Sequence, residues 1–410
     1  MRALHEGDTL DDLSSELFPI LQLCVGDGHL LPNLKTLKLW KIVGPVVPFV
    51  PLFLSPRTTS IRLCFRRIPK AVVASVITTV PTLCPRLQVI RLRYLPKDPM
   101  IIAAVSRMVL AANQNTLQQF HVDSPLTEEA SEVVYKLPNL RGLLAVIERD
   151  TLLSPASLPN LTDITINCED EGDWPQLFHR ATLGKLESVT FYPESEEIGD
   201  FLGAFERAAH SSSVQNTLSK FRVSTSWSWN PNYSSLLPFT QLVYLEIRFS
   251  CINGCSSRVD DDVIINLSRA MPKLQDLILG HDPCRESTTG VTGKGLVALA
   301  LHCSDLDYLC IHIQVANLST PPASPGISGN TDPTSLRTDC ALTELTLGEI
   351  LVPEGSRSTV ALNLLRIFPH IETIYSIWDE VQDAISNQPS TVQVSNNLWL
   401  RIRVTPMTPV

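Results

Sequence analysis

The stretch LPNLKTLKLW, from Leu31 to Trp40, recurs along the chain as LPNLRGLLAV from Leu137 and as LPNLTDITIN from Leu158. The part that recurs most widely is a six-residue repeat phrase, L-x-x-L-x-L. Its fourth and sixth residues alternate with its third and fifth, as in a short strand with one buried face. Counting conservative variants, the phrase begins thirteen times, about 28 residues apart on average, at Leu34, Thr58, Leu87, Leu117, Leu140, Leu161, Leu186, Leu218, Leu242, Leu274, Leu306, Leu342 and Ile371.

The stretches between the phrases have the periodicity of helices. Segment 260–274 carries apolar residues at helical spacing, begins with acidic residues and has Pro272 near its end. Segments 195–211, 292–306 and 358–371 have the same character. A repeated order of strand, turn, helix and turn predicts an α/β leucine-rich-repeat solenoid, a curved horseshoe with parallel strands on the concave face and helices on the convex face.

Three regions are predicted. Residues 1–30 form an N-terminal helical cap, with a helix from Leu10 to Cys24, and residues 31–378 form the solenoid of about thirteen irregular repeats. The segment 317–338 is rich in Ser, Thr, Pro and Gly, which predicts a mobile insertion within the solenoid. Residues 379–410 are predicted to form a C-terminal cap with a short helix and a final strand.

The charge is unevenly distributed. The whole chain has a formal net charge of −9, but residues 28–97 contain twelve Lys or Arg and no Asp or Glu. The sequence contains no run of eighteen apolar residues, the length expected of a membrane-spanning helix. Residues 1–20 lack the pattern of a signal peptide. We therefore expect a cytoplasmic or nuclear protein with one basic end.

Catalytic, cofactor and metal motifs are not found. The sequence has no nucleophile elbow, zinc-protease motif, phosphate loop or dinucleotide-binding glycine pattern. Cys251 and Cys255 are close together but have no histidine partners nearby, so reduced, mostly buried thiols are the simpler interpretation. We expect no enzyme activity, no cofactor and no metal. The aromatic loop STSWSWNPNY, 224–233, either fills a gap between repeats or anchors a partner.

The repeats resemble the cysteine-containing repeats of fungal F-box leucine-rich-repeat proteins. The resemblance rests on TGKGLVALALHCSDLDYLCIHI from Thr292, on LCPRL from Leu83, and on the LPNL entries. It implies a protein-interaction solenoid that serves as the substrate-recognition arm of a ubiquitin ligase. Two features differ from that family. The ninth residue counted from the start of each phrase, which is often Asn in leucine-rich repeats, is not Asn here, and no F-box is recognised ahead of Leu31. Contact with a Skp1-type adaptor is expected only if an F-box is missing from this gene model.

Positions two, three and five of each phrase are predicted to lie on the concave face, with position seven just beyond the strand. Adjacent strands lie about 4.8 Å apart, so the fifth-position residues Lys38, Arg62 and Arg91 should form one row. Further along, acidic residues that include Glu246 are predicted to make the same face acidic. The predicted partner-binding residues are Lys35, Lys38, Trp40, Arg62, Arg91, Arg93 and His121.

Two hypotheses assign a function to this basic face. The first is binding of a protein partner by a non-catalytic scaffold, and the basic residues favour an acidic partner. The alternative is nucleic-acid or phosphate-ligand binding by the basic N-terminal repeats, which the sequence pI near 5.5 and the few interleaved aromatic residues make less favoured. The row could also be a solvated face with incidental charge.

Overall fold

The protein is α/β, with parallel strands separated by helices and turns. The computed structural model describes residues 3–5, 17–26, 28–40, 44–112, 115–147, 158–168, 174–180, 183–194, 200–212, 214–227, 229–249, 259–280, 290–313, 339–347, 357–376 and 400–403. These residues group into two compact units, one with residues 1–191 and 211–214 and the other with residues 192–210 and 215–410. The predicted insertion at 317–338 lies outside the described residues, and the predicted boundaries at 30/31 and 378/379 stay predictions.

The first unit is built on a run of strands that neighbour one another in chain order. Its strands are β1 (Ala3–His5), β2 (Thr36–Leu39), β3 (Ser60–Cys64), β4 (Val89–Arg93), β5 (Gln119–Val122), β6 (Gly142–Ile147), β7 (Asp163–Cys168) and β8 (Ser188–Pro193), the last of which contains the division between the units. Its helices are α1 (Leu17–Val25), α2 (Val50–Phe53), α3 (Lys70–Leu83), α4 (Pro99–Ala111), α5 (Glu128–Val134) and α6 (Trp174–Arg180). Pairing is parallel at every step from β1 to β7.

The N-terminal region differs from the predicted helical cap in one respect. A strand, β1, pairs with β2, so that strand pairing extends further toward the N-terminus than the first repeat phrase. The helix α1 covers the C-terminal part of the predicted 10–24 helix, and residues 6–16 lie outside the described residues. It packs through Phe18, whose ring lies 5.6 Å from Phe49 and 6.2 Å from Phe53.

The second unit repeats the same order of elements. Its strands are β9 (Lys220–Ser224), β10 (Tyr244–Arg248), β11 (Asp276–Leu279), β12 (Tyr308–Ile311), β13 (Glu344–Leu347), β14 (Thr373–Ser376) and β15 (Leu400–Arg403). Its helices are α7 (Phe201–Ser211), α8 (Asp261–Ala270), α9 (Gly293–His302) and α10 (Arg357–Ile367). Pairing is parallel from β9 to β14, and β15 pairs antiparallel with β14.

The described α-helices of the second unit lie where the sequence predicted helices. Their starts follow the expected chemistry: the Asp260 carboxylate accepts a hydrogen bond from the backbone N of Val263, and Thr292 caps α9 through Lys294 N. Asp261 joins the two helix starts, since its carboxylate accepts hydrogen bonds from Thr292 N at 2.8 Å and Gly295 N at 2.9 Å. Among the described helices, none is both long and apolar enough to cross a membrane.

The first residue of every repeat phrase is buried. All thirteen, including the divergent Thr58 and Ile371, are at most 4% exposed. The fourth and sixth positions that the structure describes are buried too in most phrases, for example Leu37 and Leu39 in β2. The core of each unit therefore lies on one side of its strands, and the third and fifth positions face the other side.

The second residue of most phrases holds neighbouring strands in register through its carbonyl group. The carbonyl of Lys35 accepts hydrogen bonds from Thr59 N and Ser60 N, and the carbonyl of Thr59 accepts from Gln88 N and Val89 N. The pattern repeats down both units, for example from Gln275 N and Asp276 N to Val243 O. These bonds align the same positions of successive phrases, and this alignment positions the candidate site.

Candidate functional site

The predicted row of basic residues is present in the first unit. Lys38 of β2 lies opposite Arg62 of β3, Arg62 opposite Arg91 of β4, and Arg91 opposite His121 of β5. All four side chains are half-buried and lie on the strand face away from the core. We call these four residues the cation strip. The register confirms the predicted row, but its binding of a partner stays a prediction.

The other three predicted residues lie around the strip. Arg93 ends β4 two residues after Arg91, on the same face, and is exposed. Trp40 follows β2 two residues after Lys38 and is 44% exposed. Lys35 precedes β2 and is exposed, outside the row. All seven predicted side chains are therefore at least partly accessible in one unit.

The cation strip concentrates positive charge on one strand face. No carboxylate in the described part of the chain forms an ion pair with Lys38, Arg62 or Arg91. Burial and then the charges of Arg62 and Arg93 lower the pKa of Arg91 below its ordinary value, against a weaker opposing effect of Asp163. An arginine stays charged at neutral pH regardless. Lys38, Arg62 and Arg91 are therefore like charges held on adjacent strands.

His121 responds to the same charges. Burial first, and then Arg91, Arg93 and Arg62, lower the pKa of its imidazole from 6.5 to about 4. The ring lies over Gly142, where a Cβ atom would come within 3.0 Å of His121 Nε2. His121 is consequently neutral at pH 7, and a glycine on β6 provides the space that its ring occupies.

Several nitrogen atoms of the strip are buried without a hydrogen-bond partner among the described residues. They are Arg62 Nε, Arg91 Nε and His121 Nε2. Arg91 donates a hydrogen bond from Nη2 to the amide oxygen of Gln119, at 2.8 Å. Gln119 orients the guanidinium without neutralising it. A buried unpaired donor costs free energy, so the strip in this state is unfavourable for folding.

In the second unit, an arginine at the fifth position of its phrase forms an ion pair. Arg222 of β9 occupies the fifth position of its phrase, as Arg62 and Arg91 do. The residue opposite it on the neighbouring strand β10 is Glu246. Glu246 is 1% exposed and pairs with Arg248 Nε at 2.7 Å and with Arg222 Nε at 3.2 Å. Tyr244 donates its hydroxyl to the same carboxylate. Glu246 therefore lies on the predicted strand face, in register with Arg222, but the side chains that pair with it cover its carboxylate.

The aromatic loop of residues 224–233 serves mainly for packing. Trp229 and Tyr233 are buried, and the Trp229 ring meets Phe201 edge to face at 6.0 Å. Trp227 is half-buried and donates from its indole nitrogen to the carbonyl of Glu194 at 2.9 Å. Of the two interpretations left open by the sequence, filling the gap between repeats is the one that these contacts support.

Sequence reasoning missed a feature at the end of β4. Tyr94 has a left-handed backbone with φ of 56°, and its ring is 58% exposed. The Asp123 carboxylate accepts hydrogen bonds from the backbone N of Tyr94 and of Leu95. Burial raises the pKa of Asp123 against the lowering effect of these bonds. Nothing in the repeat phrase signals a left-handed residue at this position.

Within the described residues, no group of three or more His, Cys, Asp or Glu is arranged to hold a metal ion. Cys251 and Cys255 lie outside that part of the chain. Burial raises the pKa of Cys84 to about 11 and of Cys303 to about 12, so these thiols are protonated and weakly nucleophilic at neutral pH.

In comparisons with known proteins, no family model and no curated protein matches this chain.

Proposed function

We propose that this chain is a leucine-rich-repeat protein that binds an acidic segment of another protein through its cation strip, without catalysing a reaction. The observation that carries the proposal is the contrast between the two units. Arg222 is neutralised by the buried Glu246, whereas Arg62 and Arg91 stand in a row of cations with no ion-paired carboxylate among the described residues. A structural role would favour the first arrangement, and a binding role needs the second.

The energetics of the strip favour the same function. Holding like charges on adjacent strands opposes folding. The unpaired buried nitrogen atoms do not distinguish the strip, because Arg222 Nε in the second unit also has no hydrogen-bond partner among the described residues. An incoming carboxylate would offset the charge repulsion, and it would be steered to the strip by the positive field. The resemblance to F-box proteins suggests a role for this binding, namely substrate recognition for a ubiquitin ligase, with a Skp1-type adaptor as a second partner if an F-box belongs to the gene.

The test is affinity capture with the full chain and two triple variants. The strip variant is Lys38→Glu/Arg62→Glu/Arg91→Glu. The control, Arg57→Glu/Arg86→Glu/Arg107→Glu, makes the same change in net charge at exposed residues of the same unit outside the strip. Circular dichroism and thermal melting must first show that both are folded.

We expect the wild type and the control to recover the same proteins from a nuclease-treated lysate, and the strip variant to lose them. Equal recovery by all three would show that the strip is only a solvated face. The nucleic-acid alternative has its own outcome: an oligonucleotide that binds in a strip-dependent manner with steep salt dependence, while no protein is recovered.

A further inference from the structure

Three exposed side chains lie where β2, β3 and β4 end, directly beyond the cation strip. Trp40 follows β2, Arg66 lies two residues after β3, and Tyr94 follows β4. Parallel strands end at the same edge of a sheet, and β2 and β4 are two strand spacings apart, about 10 Å. We call Trp40, Arg66 and Tyr94 the edge anchor.

Tyr94 is held outward at a conformational cost. Its φ of 56° is unfavourable for a residue with a Cβ atom, and it persists because Asp123 accepts hydrogen bonds from two successive backbone nitrogen atoms, those of Tyr94 and Leu95. An exposed tyrosine gains nothing for the core from this arrangement. Strained residues that are fixed by their surroundings are typical of binding sites.

Arg66 lies beside this ring. Its guanidinium carbon is 5.9 Å from the centre of the Tyr94 ring, within the range of a cation–π interaction. Such stacking limits the freedom of both side chains before any partner arrives, and this reduces the entropy lost on binding. Trp, Tyr and Arg are also the residue types that dominate the energetics of protein interfaces.

We infer that the edge anchor supplies the affinity for the partner, and that the partner segment carries an aromatic side chain next to its acidic residues. The inference rests on the proposed function, because the acidic residues are those that the cation strip attracts. The aromatic residue follows from the anchor itself, since exposed indole and phenol rings with a stacked guanidinium offer flat faces to another ring. Asp123 is a positioning residue that keeps the Tyr94 ring at this edge.

The test uses two polymers as probes, poly-glutamate and a random copolymer of glutamate and tyrosine of matched length. We expect the wild type to bind the copolymer about tenfold or more tightly than poly-glutamate. Tyr94→Asn keeps a residue that tolerates the left-handed backbone but removes the ring. It should lower copolymer affinity to the level of poly-glutamate, while Tyr94→Phe keeps the preference.

A matched control is available at the end of β3. Arg67 also has a left-handed backbone, with φ of 60°, but is outside the anchor and the strip. Arg67→Asn should raise the melting temperature as Tyr94→Asn does, because both relieve the strain, yet leave the copolymer preference unchanged. Asp123→Asn should weaken copolymer binding and lower the melting temperature, and poly-glutamate binding should be unaffected.

The outcomes separate this inference from the proposed function. If poly-glutamate binds and the strip variant abolishes its binding, but the copolymer binds no more tightly, the strip stands and the anchor is wrong. A copolymer preference that survives Tyr94→Asn would also overturn the anchor, as would failure of both polymers to bind a folded protein.

Discussion

The titration of His121 gives a sharp test of the electrostatics of the cation strip. In the unfolded chain its imidazole takes up a proton near the ordinary pKa of 6.5, whereas in the folded protein burial and the neighbouring Arg91, Arg93 and Arg62 lower the pKa to about 4. Between these values the unfolded state binds more protons than the folded state. The free energy of unfolding must therefore fall as the pH falls from above 6.5 toward 4.

The size of this effect follows from the two pKa values. Lowering the pH from 7 to 5 protonates most of the imidazole in the unfolded chain and little of it in the folded protein, which corresponds to a loss of about 2 kcal/mol in the free energy of unfolding. His121→Gln removes the titrating group and retains a polar side chain. The variant should lose about 2 kcal/mol less than the wild type over this range.

The measurement is urea denaturation at pH 7, 6 and 5 on the wild type and His121→Gln. Other groups titrate in the same range, so the difference between the two proteins is the informative quantity. Equal losses for the wild type and His121→Gln would mean that the ring is solvated and that the strip does not repel protons.

Two further predictions concern stability. Leu274→Ala removes a fully buried first residue of a repeat phrase and should lower the free energy of unfolding by about 2–5 kcal/mol in denaturant titration; a loss below about 1 kcal/mol would refute the packing described for that position. Glu246→Gln leaves Arg222 and Arg248 without their shared carboxylate and should cost about 1–3 kcal/mol, less than for a fully buried pair because both arginines are partly solvated. If Glu246→Gln were as stable as the wild type, Glu246 would not stabilise the fold by neutralising Arg222.

Much of the fold could be predicted from the sequence because the repeat phrase is local. The alternation of Leu37 and Leu39 with polar residues determines which face of a strand is buried. Copies at similar spacing then predict parallel pairing in a common register. For this reason the row of Lys38, Arg62 and Arg91 could be derived without coordinates.

The rest depends on contacts between residues distant in the sequence. Glu246 looks like any acidic residue on the exposed face of a strand, and only the positions of Arg222 and Arg248 beside it explain its burial. The left-handed Tyr94 likewise depends on a carboxylate 29 residues further along the chain. The strand β1 has no repeat phrase, so its pairing with β2 could not be inferred from the repeat.

By itself, the sequence determined the α/β class, the parallel register and the accessible face that carries the cations, since these follow from the periodicity of apolar residues in each repeat. Only the tertiary structure decided which charges on that face are neutralised. Arg222 and Arg91 occupy the same position of the phrase, but one meets a buried carboxylate and the other a neutral amide. The physical reason is that periodicity determines where a side chain points, whereas its charge environment depends on the identity of the residues on the neighbouring strands.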